Sequence, residues 1–230
     1  MQSAPTTVFS PPARRLLLAG AAGFLALFAV AVSGIDFGSG LGPKERVQRK
    51  VNAILSILRD ADLSREQRWE AIGDVVDRSF DFRSMSQSVL ATTWQEAGPE
   101  EKRRFVEYFS HYLEETYRTK IERYTNERIE FENETIAGNR AVVDTVIITD
   151  ANRIPVTYRM RLDEGEWLAY DVVIEGISLV NNYRSTFAAI VKAEGISGLL
   201  NDLQDRIEAY KVNRDAGDAP ASGEGNVPEF

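Results

Sequence analysis

The stretch RIEFENETIAGNRAVVDTVIITDANRIPVTYRMRLDEGEWLAYDVVIE, Arg128–Glu175, decides the fold. Four segments in it read as strands: Arg128–Ala137, Arg140–Thr149, Arg153–Asp163 and Glu166–Glu175. Gly138-Asn139, Asp150-Ala151-Asn152 and Glu164-Gly165 separate them and are too short for a crossover, so neighbours run antiparallel. In the third segment Ile154, Val156, Tyr158, Met160 and Leu162 alternate with Pro155, Thr157, Arg159 and Arg161. That period of two buries one face and wets the other. Ala141–Ile148 is apolar on both faces apart from Asp144 and Thr145, so it reads as central or covered twice. Pro155 fits an edge or a strand start.

Outward from this meander the period changes to that of helices. On the N-terminal side, Val47, Val51, Ile54, Leu55 and Leu58 form one stripe of a helix over 44–59. Ser64 and Gln67 make a capping box for a second helix that turns Trp69, Ile72, Val75 and Val76 inward. Asp81 caps a short helix through Met85, Val89 and Leu90. Gly98-Pro99 starts a long helix to about Tyr124, on which Phe105, Tyr108, Phe109, Tyr112, Leu113, Tyr117, Ile121 and Tyr124 recur at threes and fours. That aromatic face is either plain core or part of a binding surface. After Gly176, two helices are predicted. One is capped by Ser178 and ends before Gly195; the other is capped by Ser197 and carries Leu199, Leu200, Leu203, Ile207 and Tyr210. The fold class is α+β, a twisted four-stranded antiparallel sheet packed against several helices. The domain spans 44–210, with a glycine-rich linker at 34–43 and a disordered tail at 211–230.

Ahead of the domain, Arg14-Arg15 precede an uncharged run from Leu16 to Gly34. A basic n-region, an apolar h-region and small residues at Ala29-Val30-Ala31 or Ala31-Val32-Ser33 have the layout of a secretory signal peptide. The run is also close to the ~20 residues of a spanning helix, so an uncleaved N-terminal membrane anchor stays open. Either way the folded part is expected outside the cytoplasm.

Hydrophobic residues make up 43% of the 230, ample for a packed core. The absence of cysteine excludes a disulfide framework, a cysteine-ligated zinc site, a cysteine nucleophile and a lipoprotein anchor. The net charge is −8, and an acidic protein is repelled by nucleic acid and by anionic lipid surfaces. A specific protein partner suits it better. The single histidine, His111, has Glu107, Tyr108, Glu114 and Glu115 around it on its helix and no nucleophile to activate. No nucleophile elbow, P-loop, dinucleotide fingerprint or zinc-protease motif occurs. Asp171 and Glu175 are a paired-carboxylate candidate for acid–base work. The alternative is that Asp171 caps a neighbouring backbone or pairs with an arginine such as Arg184.

The string from Trp167 to Phe187 contains a tryptophan, Tyr170-Asp171, Glu175-Gly176-Ile177-Ser178-Leu179, then Asn182-Tyr183-Arg184 and Phe187. It resembles the signature of the MlaC (toluene-tolerance) family. Phe80-Asp81-Phe82 leading to Val89-Leu90 and Trp94, the aromatic helix, Pro155–Arg159 and Gly195–Leu203 are similar to the family as well. One departure is Ala91, where many members carry glycine.

The resemblance implies a periplasmic phospholipid carrier that is not an enzyme, uses no cofactor and binds no nucleic acid. Its partners would be an outer-membrane lipoprotein–porin complex and an inner-membrane MCE-domain ABC transporter, and its role the maintenance of outer-membrane lipid asymmetry. A related subgroup beside hopanoid-synthesis enzymes gives the alternative, an inner-membrane-anchored carrier of hopanoid or another lipid. The family also implies an apolar pocket between sheet and helices that takes acyl chains. With strand faces assigned by alternation, its expected lining is Leu113, Tyr117, Ile129, Val146, Ile148, Val156, Tyr158, Met160, Val172, Ile174, Ile177 and Val180. No dense Arg/Lys cluster marks a phosphate clamp, although Arg159, Arg161 and Arg184 fall near the expected mouth.

Overall fold

A computed structural model of the chain describes residues 40–122 and 128–215. The expected signal or anchor, the linker up to residue 39, Tyr124 and the tail beyond 215 lie outside the described residues.

The four expected strands form as β1 (Arg128–Ala137), β2 (Arg140–Ile148), β3 (Arg153–Asp163) and β4 (Glu166–Ile174). The sheet nevertheless has five strands, not four: β5 (Ile177–Ser178) pairs antiparallel with β4. The order is β1-β2-β3-β4-β5, an unbroken antiparallel meander. Glu175 and Gly176 turn the chain into β5 with φ of +50° and +84°. Two successive left-handed residues are what a tight hairpin turn requires, because that twist matches the strands it joins. β4 is protected on its outer side by β5 and by a parallel bridge from Phe80 to Ala169. There the Asp81 amide donates to the Ala169 carbonyl at 2.8 Å and the Ala169 amide to the Ser79 carbonyl at 2.9 Å.

The helices are α1 (Pro43–Arg59), α2 (Arg65–Asp77), α3 (Phe82–Leu90), α4 (Thr92–Glu96), α5 (Pro99–Glu122) and α6 (Leu179–Asp215). The capping box of α2 is complete: Gln67 N–H donates to Ser64 Oγ at 3.2 Å and Ser64 N–H to Gln67 Oε1 at 2.8 Å. Asp81 caps α3 by accepting from the Ser84 amide at 2.9 Å. Ala91 joins α3 to the short α4 with φ +50° and ψ −115°. The two expected C-terminal helices run on as one element, interrupted where Gly195 takes φ +71°. That element continues through Asp215, past the expected end at Tyr210.

Packing divides into three apolar clusters. The largest joins α3, α5 and both parts of α6, around Phe105, Phe109, Tyr112, Tyr183 and Phe187. Phe105 and Phe109 are fully buried, and Phe109 meets Tyr183 edge-on with ring centres 5.5 Å apart. This is the aromatic stripe of α5 used as core, each edge-to-face pair adding about 1 kcal/mol beyond area burial. A second cluster sets Val47 and Val51 of α1 against Ala141, Val143, Met160 and Trp167 of the sheet. The third gathers Ile154, Val156, Val172, Ile174 and Leu179.

Candidate functional site between sheet and helices

Residues opposite one another on an antiparallel ladder share a face. Val143 pairs with Tyr158 and Tyr158 with Val172, while Thr145 pairs with Val156 and Val156 with Ile174. These define the inner face, onto which α1, α5 and the start of α6 pack. Ile129 belongs to it through its pairing with Ile147. Met160 joins it through Ala141.

Val146 and Ile148 do not. Val146 pairs with Pro155 and Ile148 with Arg153, which stand on the opposite face. The assignment of β2 by alternation is thus inverted by one residue. Its double-sided apolar sequence carries no period to fix the face, and register alone settles it. Ile177 is 41% exposed at the sheet margin. Leu113 and Val180 are buried in the helical cluster rather than against the sheet.

Three half-buried rings tie the clusters together. Phe80 and Tyr117 each pack against both the helical cluster and the third cluster. Tyr158 packs against both sheet clusters. A seam therefore runs between helices and sheet, crossed by aromatic rings. Burial pushes the Tyr158 hydroxyl up to about 12 and raises that of Tyr117 further. Phe80 and Leu179 belong to this seam and escaped sequence reasoning. Phe80 has no periodic companion, and Leu179 stands at a helix start where no stripe has yet begun.

An anchoring network closes one end. The Asp171 side chain is buried, 3% exposed over the residue. Ser178 Oγ donates to its Oδ2 at 2.7 Å and the Val180 amide to its Oδ1 at 3.2 Å. Ser178 Oγ in turn accepts from the Asn181 amide at 3.1 Å, capping α6. The backbone-capping role expected for Asp171 is present, but its arginine is Arg159, at 3.0 Å, not Arg184. A bulge in the β3–β4 ladder puts Arg159 directly opposite Asp171. Arg184 instead donates to the Ser88 carbonyl at 2.7 Å, and Arg161 pairs with Asp81 at 2.6 Å. All three arginines near the expected mouth are thus engaged within the protein.

The structure does not show the expected apolar pocket. Among the described residues there is a polar cleft of about 400 Å³, lined by α2, α5 and the end of α6. Glu66, Glu70, Asp74 and Asp77 form an exposed acidic stripe along α2, facing Glu114 of α5. Burial, and then the neighbouring Glu115, raise the Glu114 carboxyl above its usual range. Trp69 forms part of the lining, with the Arg118 guanidinium 4.5 Å from its ring centre. None of the expected lining residues borders this cleft.

Residues 48–205 match the model of the MlaC protein family. The chain belongs to that family. Among curated proteins, it is 26% identical over 122 residues to the intermembrane phospholipid transport system binding protein MlaC of Haemophilus influenzae. That match covers 50% of this chain and 57% of the relative. It is 26% identical over 145 residues to the toluene tolerance protein ttg2D of Pseudomonas putida, covering 62% of this chain and 65% of the relative. The chain thus spans under two thirds of each of these MlaC-type relatives. A phospholipid-binding protein from Ralstonia solanacearum, solved in complex with a phospholipid, shares the fold with a TM-score of 0.67 and 24% identity. The likeness covers 74% of this chain and 99% of that one.

Proposed function

We propose that this MlaC-family chain is a periplasmic carrier of phospholipid, holding the acyl chains in the seam between sheet and helices. The observation that carries the reading is the seam itself. Its sheet-side wall is aliphatic, formed by Val156, Val172, Ile174 and Leu179, and the half-buried rings of Phe80 and Tyr117 join it to the helical cluster. Membership of the family and the phospholipid-related names of the relatives support the same cargo.

Physical chemistry then fixes how such a carrier works. Each buried methylene gains about 0.8 kcal/mol, so two long acyl chains gain on the order of 20 kcal/mol gross. That approaches the practical ceiling of non-covalent affinity before costs are subtracted. Escape into water is correspondingly slow, and cargo leaves by direct handover to another apolar site. The partners at the two ends are an outer-membrane lipoprotein–porin complex and an inner-membrane MCE-domain ABC transporter. The head group stays in water, consistent with the engaged arginines Arg159, Arg161 and Arg184.

Native mass spectrometry of the purified protein, followed by lipid extraction, tests this. A mass increment equal to one or more phospholipids is expected. Repeated recovery of protein carrying no lipid, and taking none up from vesicles, would refute it.

A further inference from the structure

Tyr158 occupies the middle of the inner sheet face. Its neighbours there are Val143 and Val172 across the two ladders and Val156 and Met160 along β3. All of these are buried, at 0, 6, 5 and 2% exposed. Tyr158 itself stays half-buried. What is left uncovered is therefore the part that outreaches its smaller neighbours, the far edge of the ring with its hydroxyl. That edge does not stand in bulk water, because burial alone pushes the hydroxyl up to about 12. Nor does it meet a protein partner: among the described residues the hydroxyl makes no hydrogen bond. Folded proteins rarely leave such a group unmet. The ring touches the cluster beneath α1 and the cluster around Leu179, so it stands where the two meet. A donor thus projects from the sheet into the seam, with apolar side chains on every side of it along the sheet.

We propose that the Tyr158 hydroxyl is a specificity-determining donor to the carbonyl oxygen of an acyl ester in the cargo. This rests on the carrier reading. A charged phosphate or ammonium does not enter such surroundings without a large desolvation cost, and a hydrocarbon tail offers no acceptor. The ester that joins each acyl chain to glycerol is the neutral acceptor a phospholipid carries. The hydroxyl therefore also sets depth: the glycerol junction comes to rest beside the middle of β3, with the tails beyond it.

The test uses the purified full chain, stripped of lipid and offered equal amounts of dipalmitoyl phosphatidylethanolamine and its dihexadecyl ether counterpart. Head group and chain length are matched, and only the carbonyls differ. Native mass spectrometry reads the ratio of the two complexes. One hydrogen bond to a desolvated donor corresponds to a preference of about fivefold for the diester. Tyr158→Phe keeps the ring and is expected to bring the ratio to about one. Tyr170→Phe, whose hydroxyl lies by Arg140 on the other face of the sheet, is expected to keep it. A second readout is the infrared band of the diester labelled with carbon-13 at its carbonyls. The bound carbonyl should absorb at lower frequency in the parent than in Tyr158→Phe, a shift that a purely structural tyrosine would not produce. Equal retention of the two lipids by the parent, an unchanged ratio in Tyr158→Phe, or the same carbonyl band in both proteins would overturn the tyrosine assignment and leave the carrier reading standing. Retention of neither lipid would instead sink the carrier reading, and this proposal with it.

Discussion

Replacing Asp171 with asparagine keeps the shape of the side chain and removes its charge. Asp171 holds the Ser178 hydroxyl at 2.7 Å, the Val180 amide at 3.2 Å and Arg159 at 3.0 Å. The first two bonds are buried and charge-assisted, so neutralisation roughly halves each and costs about 1.5–3 kcal/mol together. Arg159 is 44% exposed, so solvent screens its share to under about 1 kcal/mol. The asparagine amide must also turn its own donors toward a hydroxyl or a guanidinium. The expected loss is about 2–3 kcal/mol, or about 5–10 °C in thermal midpoint for a domain of this size. Circular dichroism melts at low and high salt measure it. The shift should persist in high salt, because screening reaches Arg159 but not the buried bonds. Lipid retention below the melt should survive. A shift under about 2 °C would refute the anchoring role. So would lost retention at an unchanged midpoint, which would make Asp171 functional rather than structural.

Ala91→Gly should stabilise by about 1 kcal/mol in denaturant titration. It relieves a left-handed backbone at φ +50°, worth ~1–3 kcal/mol, against ~0.5–1 kcal/mol of added chain entropy. Burial, and then Arg46, lower the Lys50 ammonium from 10.5 to about 8. Between those values the unfolded chain binds more protons than the folded one, so stability should rise with pH from about 8 to 10.5. Lys50→Met should abolish that rise and stabilise at pH 7, by at most about 3 kcal/mol; an unchanged pH profile would count against the burial. For the seam, Tyr158→Ala should reduce lipid retained through purification, whereas Ile148→Ser, on the other face of the sheet, should not. Equal effects of the two substitutions would contradict the placement of the cargo.

The sheet was legible in the sequence because turn chemistry and strand length agree there. Gly138-Asn139 and Glu164-Gly165 separate runs whose observed ends fall within a residue of those predicted. What escaped lacked a period. β5 is two residues long, too short to alternate, and α4 spans barely more than one turn. β2 is apolar on both sides, so only pairing with β3 could show which side faces the helices. At the candidate site, Tyr117 and Tyr158 each sit in a clear sequence pattern and both lie at the seam, whereas Phe80 reaches it through a lone bridge to Ala169. Asp171 was recognised as a capping group, but its arginine depends on a bulge that shifts the β3–β4 register, which no local pattern records.

The acidic stripe of α2, with Glu66, Glu70, Asp74 and Asp77 lined up beside Glu114, has a bearing on how the molecule arrives anywhere. A body charged along one flank does not meet an anionic bilayer in a random pose. Within the ~8 Å over which physiological salt lets charges sense one another, the field turns that flank outward. For the carrier proposed above, that rotation would come before any touch, so a membrane would meet the faces that carry no such stripe while a film of water still lies between.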